Sequence, residues 1–207
     1  MSSRPESPER GLHEPEEAAL VQACRAGDAQ ALERFYRAHV DRVTRVIGRL
    51  VGPTPDLEDL VQATFIETLH SFARFRGEAS LSTWVIRIGV HVARHHLRRG
   101  VRRQAGLGLV PAADDATPAE AGADARLDDH RVAQRVHVLL DRLSPAKRIA
   151  FLLYVIEGYS VEEVAALTGA GRAATKSRIW FARREVLELA RRDPLLRELA
   201  AEDEEKK

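Results

Sequence analysis

The sequence lacks the residues that disulfide-bonded, metal-clustered and membrane-spanning proteins need. It contains a single cysteine, Cys24, so neither an intramolecular disulfide nor a cysteine-rich metal site can form. Apolar residues never run for the about eighteen positions that a membrane-spanning helix requires. Residues 1–17 are rich in Pro, Glu and Ser and have no apolar run, so we expect no signal peptide. These absences predict a cytoplasmic protein.

Catalytic motifs are also missing. The G-x-S-x-G turn of a serine hydrolase and a glycine-rich phosphate loop are both absent, and no pair of side chains suggests a general base in a cleft. We therefore expect neither an enzyme nor a cofactor. Aromatic residues make up only 5% of the chain, whereas hydrophobic residues make up 44%. The cores should consequently consist mainly of Leu, Val, Ala and Ile on helices.

The charge is segregated along the chain, although the formal net charge is only +1. Six arginines lie between Arg87 and Arg103, in a stretch that has no Asp or Glu. The stretch that follows is acidic and contains Asp114, Asp115, Glu120, Asp124, Asp128 and Asp129. The near-neutral total therefore does not argue against binding to nucleic acid.

Hydrophobic periodicity predicts an all-α chain of two small helical domains joined by a flexible linker. We assign a disordered lead to residues 1–17, the first domain to 18–103, an acidic linker to 104–128, the second domain to 129–192 and a charged tail to 193–207. A tether of this composition would leave the two domains with no fixed spacing.

Capping residues predict the helix ends of the first domain. Asp56 stands at the N-cap of a helix that should run to about Ser71. Its apolar stripe is predicted to comprise Leu57, Leu60, Val61, Thr64, Phe65, Thr68 and Leu69. Ser82 or Thr83 is expected to cap the next helix, which should end at about Arg99.

The second domain is predicted to contain a helix-turn-helix. Val136 should lie inside its first helix, and Ser144-Pro145 should start a helix that buries Ile149, Leu152, Leu153, Val155 and Ile156. Ser160 and Glu163 have the spacing of a capping box. A tight glycine-containing turn then separates this short helix from a last helix at about 173–191.

Two motif blocks carry a resemblance to a known family. The stretch Asp56-Leu-Glu-Asp-Leu-Val-Gln-Ala-Thr-Phe65 is similar to D-x-E-D-L-V-Q-E-T-F, the core-polymerase-binding motif of bacterial sigma factors. The stretch Phe75-Arg-Gly-Glu-Ala-Ser-Leu-Ser-Thr-Trp84 and the basic helix after it resemble the segment that melts and reads the minus-ten promoter element. Residues 143–183 resemble the C-terminal DNA-binding domain of that family. The chain is thus similar to the extracytoplasmic-function branch of the sigma-70 family.

This resemblance implies a function and partners. The chain is expected to bind core RNA polymerase, at the beta-prime clamp and the beta flap, and to direct promoter-specific initiation in response to an environmental or envelope stress signal. Promoter DNA and an anti-sigma factor are the other expected partners, without insertion into a membrane. The resemblance also implies a linker that runs toward the polymerase active-site cleft, whereas its composition fits a solvated tether equally well.

The resemblance also implies three sets of site residues. The expected polymerase-binding residues are Asp56, Glu58, Asp59, Gln62 and Phe65. The residues expected to contact the minus-ten element are Arg76, Glu78, Ser80, Trp84, Arg87, His91, Arg94, His95, Arg98 and Arg99. Those expected at the minus-thirty-five element are Arg172, Ala173, Lys176, Ser177, Arg178, Trp180 and Arg183.

The chain departs from the family pattern at several of these positions. Gly171 replaces the usual capping Ser, and His91 and His95 replace the common Asn and Asp. Trp180-Phe181 is apolar where the family is often polar, so base readout would include apolar contact, for instance with a thymine methyl group. For Trp84, stacking on DNA and packing in the core both remain open.

Two other functions are compatible with parts of the sequence. A helix-turn-helix regulator would bind duplex DNA without polymerase, but it would not need the acidic motif at 56–65. A metal-dependent enzyme would use His91, His95 and His96, of which the first two are spaced i,i+4 on one helix face. No Glu follows His91 as in H-E-x-x-H, and the surrounding arginines would repel a cation.

Overall fold

A computed structural model describes residues 14–106 and 125–197, and in these ranges all regular structure is helical. The helices are α1 Glu14–Arg25, α2 Ala29–Val51, α3 Leu57–Ser71, α4 Leu81–Gly106, α5 Ala125–Asp141, α6 Pro145–Val155, α7 Val161–Thr168 and α8 Arg172–Arg192, with a 3₁₀ turn at Phe72–Arg74. The predicted all-α class is confirmed. The predicted lead, most of the linker and the end of the tail lie outside the described residues.

The first unit, α1 to α4, is a helical bundle built around an aromatic centre. Phe35 of α2 is fully buried, and its ring lies 5.1 Å from that of Phe72 and 6.0 Å from that of Phe65. Aromatic pairs at such separations add about 0.5–1.5 kcal/mol each beyond the burial of their area. The few aromatic residues are therefore concentrated where α2, α3 and the 3₁₀ turn meet.

The helix ends of the first unit differ in part from those predicted. Asp28 caps α2, since its carboxylate accepts from the backbone N–H groups of Gln30 and Ala31. The predicted cap of α4 at Ser82 or Thr83 is wrong, because the helix already begins at Leu81, before either residue. The Oγ of Ser80 accepts from the backbone N–H of Thr83 at 3.2 Å and so caps this end.

The second unit, α5 to α8, packs α6 and α7 against α8 around Leu153, Val164 and Ala182. The start of α6 at Pro145 and the capping box are confirmed. In the box, the Ser160 N–H donates to Glu163 Oε2 at 2.6 Å, and the Glu163 N–H donates to Ser160 Oγ at 3.2 Å. Gly169 follows α7 in the left-handed conformation, with φ of 64°, which a glycine adopts without a Cβ clash.

Four residues that were predicted to be buried are exposed. They are Leu69, Val136, Val155 and Ile156, with 43%, 37%, 48% and 50% of their surface accessible. Val155 and Ile156 stand at the end of α6, where the chain leaves the core for the turn to α7. The apolar pattern of α6 thus continues beyond the surface that α8 covers. The predictions of burial were wrong for all four residues.

The two units pack against each other and share one hydrophobic core. Helix α4 of the first unit contacts α6 and α7 of the second, and α2 contacts α6. Arg148 of α6 is 2% exposed, and its Nε donates to the backbone oxygen of Leu50 at the end of α2 at 2.8 Å. The expectation of two domains with no fixed spacing is therefore wrong for this structure.

Candidate polymerase and nucleic-acid interfaces

Helix α3 presents an acidic face. Glu58 and Asp59 are exposed on it, with Gln62 one turn further on, and the helix packs on α2 and α4 from its other side. Asp56 stands at the N-cap, as predicted, but makes no side-chain capping bond. Its carboxylate instead lies 3.6 Å from Nδ1 of His96 on α4. The carboxylates of Glu58 and Asp59 thus face outward from the first turn of α3.

Phe65, the fifth expected polymerase-binding residue, lies in the core. Only 6% of its surface is exposed, and its ring is 4.7 Å from that of Tyr36. The residues that continue the acidic face outward are instead Ile66, exposed by 54%, and Leu69. Tyr36, exposed by 46%, covers Phe65 on the adjacent helix. These three apolar side chains extend the acidic face into a mixed surface that the motif alone did not reveal.

The loop between the 3₁₀ turn and α4 projects two opposite charges. Arg76 and Glu78 are about four-fifths exposed, and Arg76 Nη1 lies 4.0 Å from Glu78 Oε1. Gly77 between them has φ of 74° and no neighbour within 4 Å of a would-be Cβ. An ion pair this exposed adds about 0–1 kcal/mol, so both side chains are available to a partner.

Helix α1 braces this loop at both ends. Arg25 donates from Nε to the backbone oxygen of Phe72 at 3.1 Å and from Nη2 to that of Phe75. Glu17 accepts the backbone N–H of Leu81, the first residue of α4. The motif analysis missed both side chains, because they lie 47 to 64 residues away in sequence from the groups that they bind.

Trp84 packs beneath the loop that joins the 3₁₀ turn to α4. Its ring lies 5.2 Å from that of Phe72 and 4.8 Å from that of Phe75. The side chain is half-buried, so one part of it packs in the core and another remains accessible. Core packing of Trp84 is therefore observed, and stacking of its accessible part on DNA stays a prediction.

A basic face runs along α4 after Trp84. Arg87, His91, His95 and Arg98 are exposed at spacings of four, four and three residues, with Arg94 half-buried beside them and Arg99 exposed next to Arg98. Spacings of three and four keep these side chains on one side of a helix. Because no Asp or Glu occurs between Leu81 and Gly106, only cations and imidazoles line this face. Such a surface is suited to a phosphate backbone.

Helix α8 presents its first turns to solvent. Arg172, Ala173, Lys176 and Ser177 are exposed, and Arg178 is half-buried. Gly171 precedes the helix without a side-chain cap, as its identity predicted, and Thr175 Oγ1 donates to the Gly171 oxygen at 3.1 Å. Arg172 also pairs with Glu162 of α7 at 2.6 Å. The start of α8 is therefore held from both helices of the motif.

Two large aromatic side chains stand on the exposed side of α8. Trp180 is 57% exposed and Phe181 50% exposed, and their rings meet edge to face at 4.8 Å. The guanidinium of Arg184 lies 5.8 Å from the Trp180 ring, and its Nε donates to Glu188 at 2.9 Å. Trp180 lies one turn after Lys176 and so shares its face. Exposed aromatic groups in this position can contact base edges and thymine methyl groups.

Metal binding by the three histidines of α4 finds no support in the geometry. His91 and His95 are exposed, whereas His96 faces Asp56. Within the described parts of the chain, no group of three or more His, Cys, Asp or Glu side chains is arranged to hold a metal ion. None of the helices described combines the length and apolar character needed to cross a membrane.

Sequence and structure comparisons agree with this arrangement. Sigma-70 region 2 matches residues 35–103, and Sigma-70 region 4 matches residues 133–186. The RNA polymerase sigma factor CarQ of Myxococcus xanthus is 33% identical over 156 residues, which is 74% of this chain and 86% of CarQ. The ECF RNA polymerase sigma factor SigE of Mycolicibacterium smegmatis is 32% identical, over 84% of this chain and 67% of SigE.

Solved structures show the same fold. CnrH, in complex with the cytosolic domain of CnrY, superposes with a TM-score of 0.58 over 86% of this chain and 98% of its own, at 24% identity. The sigma factor RpoE of Bartonella quintana, in complex with the anti-sigma factor NepR, gives 0.55 over 78% and 97%, at 25% identity. The chain therefore belongs to the sigma-70 family of RNA polymerase sigma factors, in its extracytoplasmic-function branch.

Proposed function

We propose that this chain binds core RNA polymerase through α3 and directs it to promoters that α4 and α8 read. The observation that carries the proposal is the separation of charge among three exposed helix faces. Helix α3 has an acidic face, whereas the described residues of α4 and the first half of α8 carry cations without a carboxylate. One protein partner of basic character and one nucleic acid account for both kinds of surface.

The division of the DNA contacts follows from the shape of each site. The loop at 76–80, with its exposed arginine and glutamate above Trp84, is suited to a base extruded from a melted strand. Extruding a base costs a few kcal/mol of stacking, which a braced pocket must recover. Helix α8 follows a short helix and a tight turn, so its first turns suit the major groove of intact duplex. We assign the minus-ten element to the loop and α4, and the minus-thirty-five element to α8.

The expected polymerase-binding set is refined by exposure. Glu58, Asp59 and Gln62 remain as polar contacts, and Ile66 and Leu69 join them as apolar ones. Phe65 acts by holding α3 on α2, through Phe35 and Tyr36. A docking surface with a small apolar centre beside charged residues is typical of protein interfaces.

We further propose that the chain acts in the cytoplasm without catalysis of its own, and that an anti-sigma factor restrains it. The sigma factor RpoE named above was solved with such a partner. An inhibitor of this kind would gain most by covering the mixed surface of α3, since that blocks polymerase directly.

Reconstituted transcription tests the proposal. Purified chain added to core polymerase should give specific transcripts from a cognate promoter, and Asp59→Arg should abolish core binding by placing like charge against a basic surface. Asp41→Arg is the matched control, since it reverses an exposed carboxylate on α2 away from this face. If both variants lose core binding equally, or if neither loses it, α3 does not form the polymerase interface.

A further inference from the structure

We propose that a cleft between α5 and the end of α8 binds a small carboxylate that carries an apolar group. The cleft lies in the second unit and has a volume of about 180 Å³. Its residue Arg192 is about 24 Å along α8 from Lys176, at 1.5 Å per residue. The proposed contacts with polymerase and promoter DNA use α3, α4 and the first turns of α8. The cleft is therefore a separate site, and its ligand does not depend on the proposed function.

One part of the cleft wall is apolar. It consists of Val138 and Leu139 of α5 and Leu189 of α8. Leu139 is 6% exposed and belongs, with Ala190 and Leu196, to a small apolar cluster that is separate from the main core. Val138, by contrast, is 41% exposed. Apolar surface therefore stays open to the cleft, and a ligand that covers it would gain free energy from its burial.

The other part of the wall is charged. Its cations are Arg135, Arg142 and Arg192, and its one carboxylate among the described residues is that of Asp193. Because the charges of Arg135 and Asp193 cancel, the remaining two arginines give the wall an excess of positive charge. Neither of these two has an anionic partner among the residues that the structure describes. The cleft thus offers an anion two guanidinium groups that nothing in the described chain neutralises.

Asp193 does not compete for these two guanidinium groups. It is 6% exposed, and both of its oxygens are already hydrogen-bonded. Its Oδ2 accepts from Nε of Arg135 at 2.5 Å, and its Oδ1 accepts from the backbone N–H of Leu195 at 3.0 Å. These bonds fix the carboxylate at the end of α8, so the positive side of the cleft remains available to a ligand.

The volume of the cleft determines which class of anion fits. Guanidinium groups bind carboxylate and phosphate through paired N–H donors. A cavity of about 150 Å³ lined by apolar side chains holds one benzene molecule. A cleft of about 180 Å³ therefore accommodates one ring, or an aliphatic chain of similar size, beside a compact anionic group. A carboxylate is the smaller of the two anions, so the ligand class that fits best is a monocarboxylate with one such apolar group.

The arginines also stand where cations stabilise helix ends. Arg142 directly follows α5, and Arg192 is the last residue of α8. A cation near the C-terminal end of a helix interacts favourably with the helix dipole. This role alone predicts that replacing either arginine lowers stability and changes no binding. It does not explain why apolar surface stays open between the two arginines.

An NMR titration of the full-length chain, labelled with ¹³C at the Leu and Val methyl groups, tests the site. The probe is 3-phenylpropionate. It should shift the methyl signals of Val138, Leu139 and Leu189 with a dissociation constant of about 1 mM, as expected for a ligand of about eleven non-hydrogen atoms. 2-Phenylethylamine, which joins the same ring to a positive charge, should bind about tenfold more weakly or not at all. Acetate, which lacks the ring, should not shift these signals at the same concentrations.

Three variants assign the binding to the cleft. Arg142→Ala and Arg192→Ala each remove one exposed cation and should weaken binding of 3-phenylpropionate about two- to fivefold. Arg191→Ala is the matched control, because it removes an exposed cation from the same turn of α8 that does not line the cleft. Its dissociation constant should equal that of the parent.

Four results would overturn the proposal. The first is the absence of saturable shifts at the three methyl-bearing residues at about ten times the expected constant. The second is equal binding of the amine and the carboxylate, and the third is equal weakening in Arg191→Ala. The fourth is a lower thermal midpoint in Arg142→Ala and Arg192→Ala with an unchanged dissociation constant, because both arginines would then act only on the helix ends.

Discussion

Lys176 offers the most direct measurement of contact between α8 and DNA. Its ammonium is exposed on the second turn of α8, and no described residue pairs with it. Replacing it with alanine removes one cation and little else. Each phosphate contact contributes about 0.9 to the slope of log affinity against log salt concentration. Loss of one contact should therefore lower the slope by about 0.9, and the fall in affinity between 50 and 200 mM salt by about 3.5-fold.

Fluorescence anisotropy of holoenzyme on a labelled promoter duplex, from about 50 to 200 mM salt, measures this slope. Arg192→Ala is the matched control, because it removes an exposed cation from the last turn of the same helix. The control should keep the parent slope, and core binding should survive in both variants. If Lys176→Ala keeps the parent slope, or if Arg192→Ala lowers it equally, the first turns of α8 do not lie on the phosphate backbone.

Three other predictions follow from single contacts. Burial and the charge of Arg42 lower the pKa of His39 to about 4, so between pH 6.5 and 4 the unfolded chain gains a proton that the folded chain does not. The free energy of unfolding, measured by urea titration, should fall over this range by about 1–2 kcal/mol, after allowance for the partial exposure of His39. The fall should be smaller in His39→Gln. Ser160→Ala should lower stability by about 1 kcal/mol through loss of the capping box, whereas Ser177→Ala should leave the thermal midpoint unchanged. Arg25→Ala should slow promoter melting, which is measured by the permanganate reactivity of unpaired thymines, and it should not weaken duplex binding by α8. Equal slowing when the exposed Arg37 is replaced by alanine would contradict the bracing role of Arg25.

Local chemistry explains why much of the fold could be read from the sequence. The capping box joins Ser160 to a residue three positions away, and Pro145 restricts only its own backbone. Interactions of this range need no knowledge of the partner helices. The helix-turn-helix and the acidic face of α3 were therefore predictable, as was the absence of strands from the described residues.

Which apolar residues face the core depended on contacts distant in sequence. In α3, Phe65 and Leu69 both belong to the predicted apolar stripe, yet Phe65 is 6% exposed and Leu69 is 43% exposed. The difference arises because Phe35 and Tyr36 of α2 receive the Phe65 ring. Likewise, Ser80 rather than Ser82 caps α4, since the adjacent backbone N–H of Leu81 is held by Glu17 from α1.

Arg148 shows most clearly why the packing of the two units was not predictable. In the sequence it is a cation after Lys147 on an amphipathic helix, a position where exposure is the ordinary outcome. It becomes one of the most buried residues because three conditions coincide in the folded chain: Asp141 offers a carboxylate from α5, the end of α2 offers the oxygen of Leu50, and Gly52 leaves room for the guanidinium. The first condition lies within its own unit and favours no particular partner. The other two lie about a hundred residues away, so only the assembled helices determine that this arginine joins the units.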